Sequence, residues 1–441
     1  MIFVLLNYHK LNIKKGLLIL KKLLKIQFRL LLITLSLLTY STQGVASDFN
    51  IPFVNGAELG NMYSGWAASA NDASTEFTNP AGLTKLYHKQ LVLAGIGVSG
   101  STKFTGTASN PIFGTSETGS AESKLRGHIP LFYYAQPITP NIVVGFGAAV
   151  PFALGTNYPK DSVVRYSATR SQIAVVDMGP SVGFKVNEKL SLGLGLDVNR
   201  VAFTLNQMYG PPFSTPDAEG QNHFWGWGYG WHAGAMYQAL PSTRIGLSFN
   251  SMVMFHTSGD SEIFTPDGGE LRTTTQRSNF ALPARTQLSI NYDLNSCWTL
   301  LGTLFYTNWS TLNQLTLQQT ILPTGAIIPV SIPFQYHNTF DYSIGFNAKA
   351  TEKWLFRAGS MFLSTPSNKH DRSVSDPLGA GIILGAGVHY QQNKCLGYDL
   401  SFAHGFFQTT AINATSVVAA TDGHSSHNTN ILGAQVTWNI G

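Results

Sequence analysis

The sequence predicts an all-β fold: a transmembrane antiparallel β-barrel of about fourteen strands with an N-terminal hatch, or plug, inside its lumen. Three observations carry this. Only 12% of the 441 residues are charged, while glycine reaches 43 residues and aromatics 12%; a soluble protein of this length needs a more charged surface. Mean hydropathy is +0.03, as expected when lipid-facing and lumen-facing residues cancel. Apolar and polar residues alternate with period two over many segments, the mark of strands with two different faces. One apolar run near the N-terminus is the sole helix-like segment, which excludes a helical membrane protein, and 44% hydrophobic residues exclude disorder.

That apolar run, Leu30 to Tyr40, follows seven basic residues (Lys10, Lys14, Lys15, Lys21, Lys22, Lys25, Arg29) with no acid among residues 1–46. Gly44-Val45-Ala46 then offers a small-x-small cleavage site. Residues 1–46 read as a secretory signal peptide, because about 11 apolar residues are too few to span a bilayer. Without them the chain carries 21 basic and 23 acidic residues, net −2. The basic pI therefore says nothing about nucleic acid. Cys297 and Cys395 fall at turns beginning strands four apart, roughly 19 Å across a sheet, too far for a disulfide. Two cysteines alone make no zinc site.

Strands are expected at about 90–106, 122–137, 141–151, 165–186, 189–207, 224–240, 243–257, 272–293, 297–311, 335–350, 352–364, 379–391, 395–408 and 429–440. The clearest is 189–199, where Leu190, Leu192, Leu194, Leu196 and Val198 alternate with Ser191, Gly193, Gly195, Asp197 and Asn199. Short connections alternate with long ones along the chain. An even strand number with short periplasmic turns and long exterior loops is the outer-membrane pattern. The barrel is assigned to residues 89–441.

Residues 47–88 break the pattern. Gly60 to Phe77 is rich in small residues, and Asn79-Pro80-Ala81-Gly82-Leu83 reads as a turn. A segment of this length before a wide barrel is best placed inside it as a hatch. Asp72 and Glu76 are spaced to pair on one helical turn, and satisfying backbone donors is their commoner use.

Two motifs mislead. Gly179-Pro180-Ser181-Val182-Gly183 matches a nucleophile elbow, but that chemistry needs a strand-to-helix turn, and this strand runs on through Phe184 and Val186. Gly95-x-Gly97-x-x-Gly100 has no helix after it to hold a pyrophosphate and reads as a strand packed closely on the hatch. His370, His424 and His427 fall on expected exterior loops, and no His-x-x-x-His pair exists. No cofactor, metal site or catalytic residue is expected, and the chain is read as no enzyme. The loops around Pro111-Ile112-Phe113, Tyr209 to Phe213 and Ile321 to Phe334 are apolar, and exposed apolar patches mark interaction sites. A partner surface and a landing groove for an apolar molecule both fit.

Gly65-Trp66-Ala67-Ala68-Ser69-Ala70-Asn71-Asp72-Ala73-Ser74-Thr75, followed by Asn79-Pro80-Ala81, resembles the hatch of the long-chain fatty acid outer-membrane transporter (FadL) family. The likeness continues in order through Pro180 to Asn187, Trp227 to Gly234, Leu282-Pro283, Thr307 to Ser310 and Lys353 to Gly359. The resemblance implies passive inward movement of hydrophobic molecules by loop capture, an internal pocket and lateral release through an opening made by a kinked third strand. It places Asn79, Pro80 and Ala81, with Gly65 and the anchor Asp72, in the hatch beside that opening. The third strand would bend at Gly145, Gly147 and Pro151, since proline cannot donate to a ladder. The Arg of the family's Pro-Asp-x-Asp-Arg element is missing from Ser375-Asp376-Pro377-Leu378-Gly379, the chain ends Trp438-Asn439-Ile440-Gly441 rather than on an aromatic residue, and Phe203 to Gln207 offers no cation for a carboxylate. Long-chain fatty acids are the first expectation. Aromatic hydrocarbons, an adhesin with apolar loops and, more remotely, a barrel hydrolase using Ser181 stay open. The expected partners are the hydrophobic ligand, outer-membrane lipid and lipopolysaccharide, and the barrel assembly machinery, for a monomer that binds no nucleic acid.

Overall fold

The computed structural model describes residues 53–110, 114–211, 213–416 and 419–440. The expected signal peptide, residues 47–52 of the hatch assignment and the Pro111-Ile112-Phe113 patch lie outside the described residues. Among those described, fourteen antiparallel strands pair in sequence order, and the last closes on the first. They are β1 (Lys89–Asn110), β2 (Thr115–Thr139), β3 (Ile142–Asn157), β4 (Arg170–Lys185), β5 (Leu190–Tyr209) and β6 (Ala218–Leu240). There follow β7 (Thr243–Asn250, resumed as Val253–Phe264), β8 (Glu270–Leu282, resumed as Arg285–Asp293), β9 (Trp298–Thr307) and β10 (Thr339–Lys349). The set ends with β11 (Trp354–Leu363), β12 (Gly381–Gln391), β13 (Leu396–Phe407, resumed as Thr410–Thr415) and β14 (Ala420–Ile440). Closure runs from Lys89 opposite Ile440 to Ser109 opposite Ala420, so no edge is left unpaired there. No helix among the described residues is long and apolar enough to cross a membrane; the crossing is made by strands.

Alternation becomes two faces. On β6, Trp225, Trp227, Tyr229 and Trp231 point outward, while Phe224 and His232 are buried within. On β10, Phe340, Tyr342 and Ile344 point outward, and Asp341 and Ser343 inward. The breaks have local causes. Pro283, which lacks an N–H, sits between the two halves of β8, and at Ser251 in β7 the backbone N–H reaches Trp231 O at 2.9 Å while the hydroxyl accepts from Trp231 N.

Several expectations are corrected. The described residues among 107–121 and 409–428 are mostly strand rather than loop, because β1, β2, β13 and β14 extend beyond the lipid with Ser, Thr, Gly and Asn on both faces. His424 and His427 consequently lie on β14, and the His427 ring bonds Thr102 Oγ1 at 2.7 Å and Thr429 Oγ1 at 2.6 Å. Gly95 and Gly97 point away from the hatch: a Cβ on Gly95 would meet nothing within 4 Å. The apolar exterior segment is a hairpin, Gln314–Ile321 with Ile327–Pro333, whose apolar side is turned in. Leu315, Leu317, Ile321 and Leu322 are buried, the last two against Tyr209, Ala218 and Ile263. The first arm of the expected landing patch is therefore consumed by packing, while Ile327–Pro333 stays half-buried to exposed. Cys297 and Cys395 are free and exposed at their turns.

Candidate functional site: the hatch and an opening in the wall

Residues 53–88 form four short helical turns, at Glu58–Asn61, Trp66–Ser69, Thr75–Thr78 and Pro80–Lys85, nearly all buried. Inward glycines admit them. A Cβ on Gly193 would lie 2.3 Å from Pro80 C and Ala81 N, one on Gly246 2.0 Å from Ala67 O, and one on Gly359 2.1 Å from Asn61 O. Backbone contacts under 3.0 Å recur at Gly183 and Gly385, and at Gly234 the space is taken by the Asn79 side chain. Removing the side chain lets backbone approach backbone, which is the use of glycine at such sites. Gly65 itself adopts φ +71° before the Trp66 turn, where its own Cβ would strike Leu301.

Polar bonds fix the orientation. Asp72 accepts from Asn55 Nδ2 at 3.2 Å, Ser74 N at 2.9 Å and, from β14, Gln435 Nε2 at 2.7 Å. It makes no pair with Glu76. Asn79 caps the following turn by accepting from Ala81 N at 3.1 Å, and its amide donates to Ala67 O at 2.6 Å and Ala235 O at 3.1 Å. Asn79, Pro80 and Ala81 thus sit over the glycines of β4, β5 and β6. Glu76 packs directly on β3, its side chain filling the space a Cβ would take at Gly145 and Gly147. These two glycines make room for Glu76 within paired strand and do not bend β3. Burial, then the carboxylates of Asp177 and Asp197, push the Glu76 carboxyl well above its usual range. His232 links the two: Nδ1 meets Asp197 Oδ1 at 2.6 Å, and Nε2 donates to the Glu76 backbone oxygen at 2.9 Å. A carbonyl only accepts, so Nε2 carries a proton. Ser181 lies within continuous strand, and both nitrogens of His232 are occupied, so no Ser-His pair forms there.

Directly beyond Glu76 the wall parts. β2 and β3 pair from Thr139 opposite Ile142 to Phe132 opposite Ala148, and then stop. Residues 149–156 of β3 have no partner on β2; contact resumes where Asn157 N donates to Ser123 Oγ at 2.7 Å. On the other edge, β3 carries one extra residue between Ala149 and Phe152, a bulge that contains Pro151. Alternation fails there because the strand turns inward: Ala149, Val150, Pro151, Phe152 and Ala153 are all buried. Phe152 meets Trp309 edge-on at 6.3 Å, and Trp309 meets Tyr336 at 5.7 Å. The Arg285 guanidinium lies 4.9 Å from the Phe152 ring centroid and 5.9 Å from that of Phe77. This half-buried cation behind the opening was not anticipated: its only signal in sequence is a lone Arg two residues after Pro283.

Outside, a cavity of about 820 Å³ opens between the loops, lined by Glu117, Asp161, Asp217 and Glu219 against Lys160 and Arg165, with Met208 and Phe264. Ion pairs Lys160–Glu219 (2.7 Å) and Arg165–Glu117 (2.9 Å) cross it. In the 364–380 loop Arg372, upstream of the position where the family's Arg is missing, donates to Leu378 O at 3.0 Å, Ser367 O at 2.9 Å and Ala411 O at 3.2 Å.

A closed fourteen-stranded barrel filled by its own N-terminal segment and parted between two strands defines an outer-membrane transporter. The family model for outer membrane protein transport proteins (OMPP1/FadL/TodX) matches residues 37–439, and the chain belongs to that family. It is a transporter of hydrophobic molecules in the outer membrane and not an enzyme. Outer membrane protein P1 of Haemophilus influenzae is 26% identical over 81% of this chain and 86% of that protein. The long-chain fatty acid transport protein of Escherichia coli K12 is 24% identical over 85% and 91%. Among solved structures, a Pseudomonas aeruginosa FadL homologue superposes with TM-score 0.82 at 21% identity, covering 89% of this chain and 100% of that one. The Ralstonia pickettii toluene transporter TbuX gives 0.66 at 17% identity, over 89% and 100%.

Proposed function

We propose that this protein carries hydrophobic small molecules, long-chain fatty acids first among them, passively from the loop side into the lumen and sideways through the β2–β3 opening. The observation that carries the reading is the stretch of β3 with no partner on β2, lying directly beyond the hatch. An apolar solute gains free energy by leaving through the wall into lipid, at roughly 25 cal/mol per Å² of apolar surface kept from water. Arg285, behind the opening and against Phe152, is the cation a carboxylate would meet. Asn79, Pro80, Ala81, Gly65 and Asp72 hold the hatch in register; Gly145 and Gly147 seat Glu76; Pro151 keeps the wall parted. The relatives named for fatty acid transport support the substrate class. One feature favours neutral aromatic hydrocarbons instead: the outer cavity holds four acids and two bases, so it does not attract a carboxylate. Uptake of labelled oleate and labelled toluene by cells lacking their own carriers separates the two. Oleate uptake that rises with this chain and falls in Arg285→Leu supports fatty acid. A rise for toluene alone overturns it.

A further inference from the structure

On β2 the buried residues Ser123, Leu125 and Ile129 face the lumen, so Glu122, Lys124, Arg126 and His128 face outward. In register beside them on β1 stand Ser99 opposite Arg126, Ser101 opposite Lys124 and Lys103 opposite Glu122. On the far side of β1, Asn430 and Asn428 of β14 face Ser99 and Ser101. The apolar outward face ends below this strip, at Phe132 and Pro130 on β2 and at Leu432 on β14. The cluster therefore begins where the hydrocarbon ends, at the depth of the outer leaflet's headgroups. It contains three permanent cations (Lys103, Lys124, Arg126) and one acid, and among the described residues none of the three has an ion-pair or hydrogen-bond partner. At the outward positions of β10 to β12 the chain instead places Phe340, Tyr342, Ile344, Phe346, Trp354, Phe356, Ile382 and Leu384.

We infer that this strip is a docking site for the phosphates of the phosphorylated glycolipid that forms the outer leaflet. Unpaired cations on a lipid-facing wall stand next to molecules whose headgroups are anionic and held at the same depth. Lys124 and Arg126, two residues apart on one strand, are spaced about 7 Å at their Cα atoms. That spread suits a headgroup with two phosphates better than a single carboxylate, and a guanidinium can grip phosphate through two parallel N–H bonds. Ser99, Ser101, Asn428 and Asn430 supply neutral hydrogen-bonding groups for the sugar. Because Arg126 and His128 belong to the part of β2 that β3 leaves unpaired, the docked lipid would border the wall opening.

Titrating the refolded full barrel in detergent with bisphosphorylated lipid A, followed by native mass spectrometry, tests this. At about 1 kcal/mol per basic residue, the triple change Lys103→Gln, Lys124→Gln, Arg126→Gln weakens binding by about 100-fold. The pair Arg200→Gln, Arg277→Gln, outward cations on β5 and β8, leaves it unchanged. Monophosphorylated lipid A binds the unaltered chain more weakly than the bisphosphorylated form, and inorganic phosphate does not compete at millimolar concentration. Heat-modifiable migration in electrophoresis verifies folding; if the triple variant fails it, Lys124→Gln and Arg126→Gln are read singly, each about five-fold weaker. Equal binding by folded variants, an equal loss in the Arg200 and Arg277 pair, or no preference for two phosphates overturns the proposal.

Discussion

Two sides of the same ring are built differently. From β9 to β12 every neighbouring pair runs in unbroken register, and the outward face is aromatic and aliphatic. Behind it, Arg357 donates to Asp399 Oδ1 at 2.5 Å, Asp399 also meets His389 Nδ1 at 3.0 Å, and Asn61 of the hatch bonds Asn347 at 3.1 Å. From β2 to β3 the ladder is parted, one strand turns inward, and the outer end of β2 carries the outward cations Lys124 and Arg126. One side holds the hatch and the closed wall together; the other gives up ladder hydrogen bonds between β2 and β3, where the proposed exit lies. The difference teaches that pairing can be omitted at one place in a barrel while continuous ladders close the rest of the ring.

The largest expected effect lies on the closed side. Asp399→Ala leaves Arg357 buried without its partner, which costs about 3–5 kcal/mol. Urea unfolding in lipid vesicles would register the loss, while uptake per folded barrel stays near that of the unaltered chain. If uptake instead collapses with stability intact, the division of labour is wrong. Next comes Gly147→Ala, whose Cβ would sit 2.0 Å from Glu76 Oε2. Overpacking of this kind costs about 1–3 kcal/mol, and amide exchange across residues 75–85 should quicken. Asn79→Ala removes a cap and two further bonds, for about 0.5–2 kcal/mol, with a drop in uptake that barrel unfolding does not share. Unchanged uptake in the folded variant would remove Asn79 from gating.

The smallest effect is on pH. Burial, then the carboxylates of Asp177 and Asp197, raise the Glu76 carboxyl well above its usual range. A carboxyl whose folded value is raised stabilises below its unfolded value and loses that contribution as pH rises through the raised one. Hatch amides should therefore exchange faster, beyond the intrinsic pH effect, on the alkaline side, and Glu76→Gln should flatten the response. An identical pH profile in the two proteins contradicts the assignment.

Much of the ring was legible in the sequence, and the places where reading failed share a cause. Leu190 to Val198 alternates because one face meets lipid and the other the lumen. The outer ends of β2 and β14 carry small polar residues on both the buried and the exposed face, such as Ser425 beside His424, so they show no apolar period and read as loop. The inward stretch of β3 is buried on both faces, so Ala149 to Ala153 carries none either, and the opening could be placed only by resemblance. Abundant glycine was visible, but not which glycines faced the hatch. Gly193 and Gly246 do, whereas Gly95 and Gly97 face outward. The Asp72 and Glu76 spacing fitted a pair, yet the chain turns between them and gives Asp72 to Gln435 and Glu76 to β3.

The central claim is that the parted β2–β3 wall is the exit. Deleting Pro151 removes the extra residue that breaks register with β4 and lets β3 rejoin β2. Uptake of labelled oleate by cells lacking their own carrier, producing either the unaltered or the deleted chain at equal folded levels, tests this directly. The account predicts that uptake falls to the background of cells without the chain; uptake undiminished by a rejoined wall would contradict it.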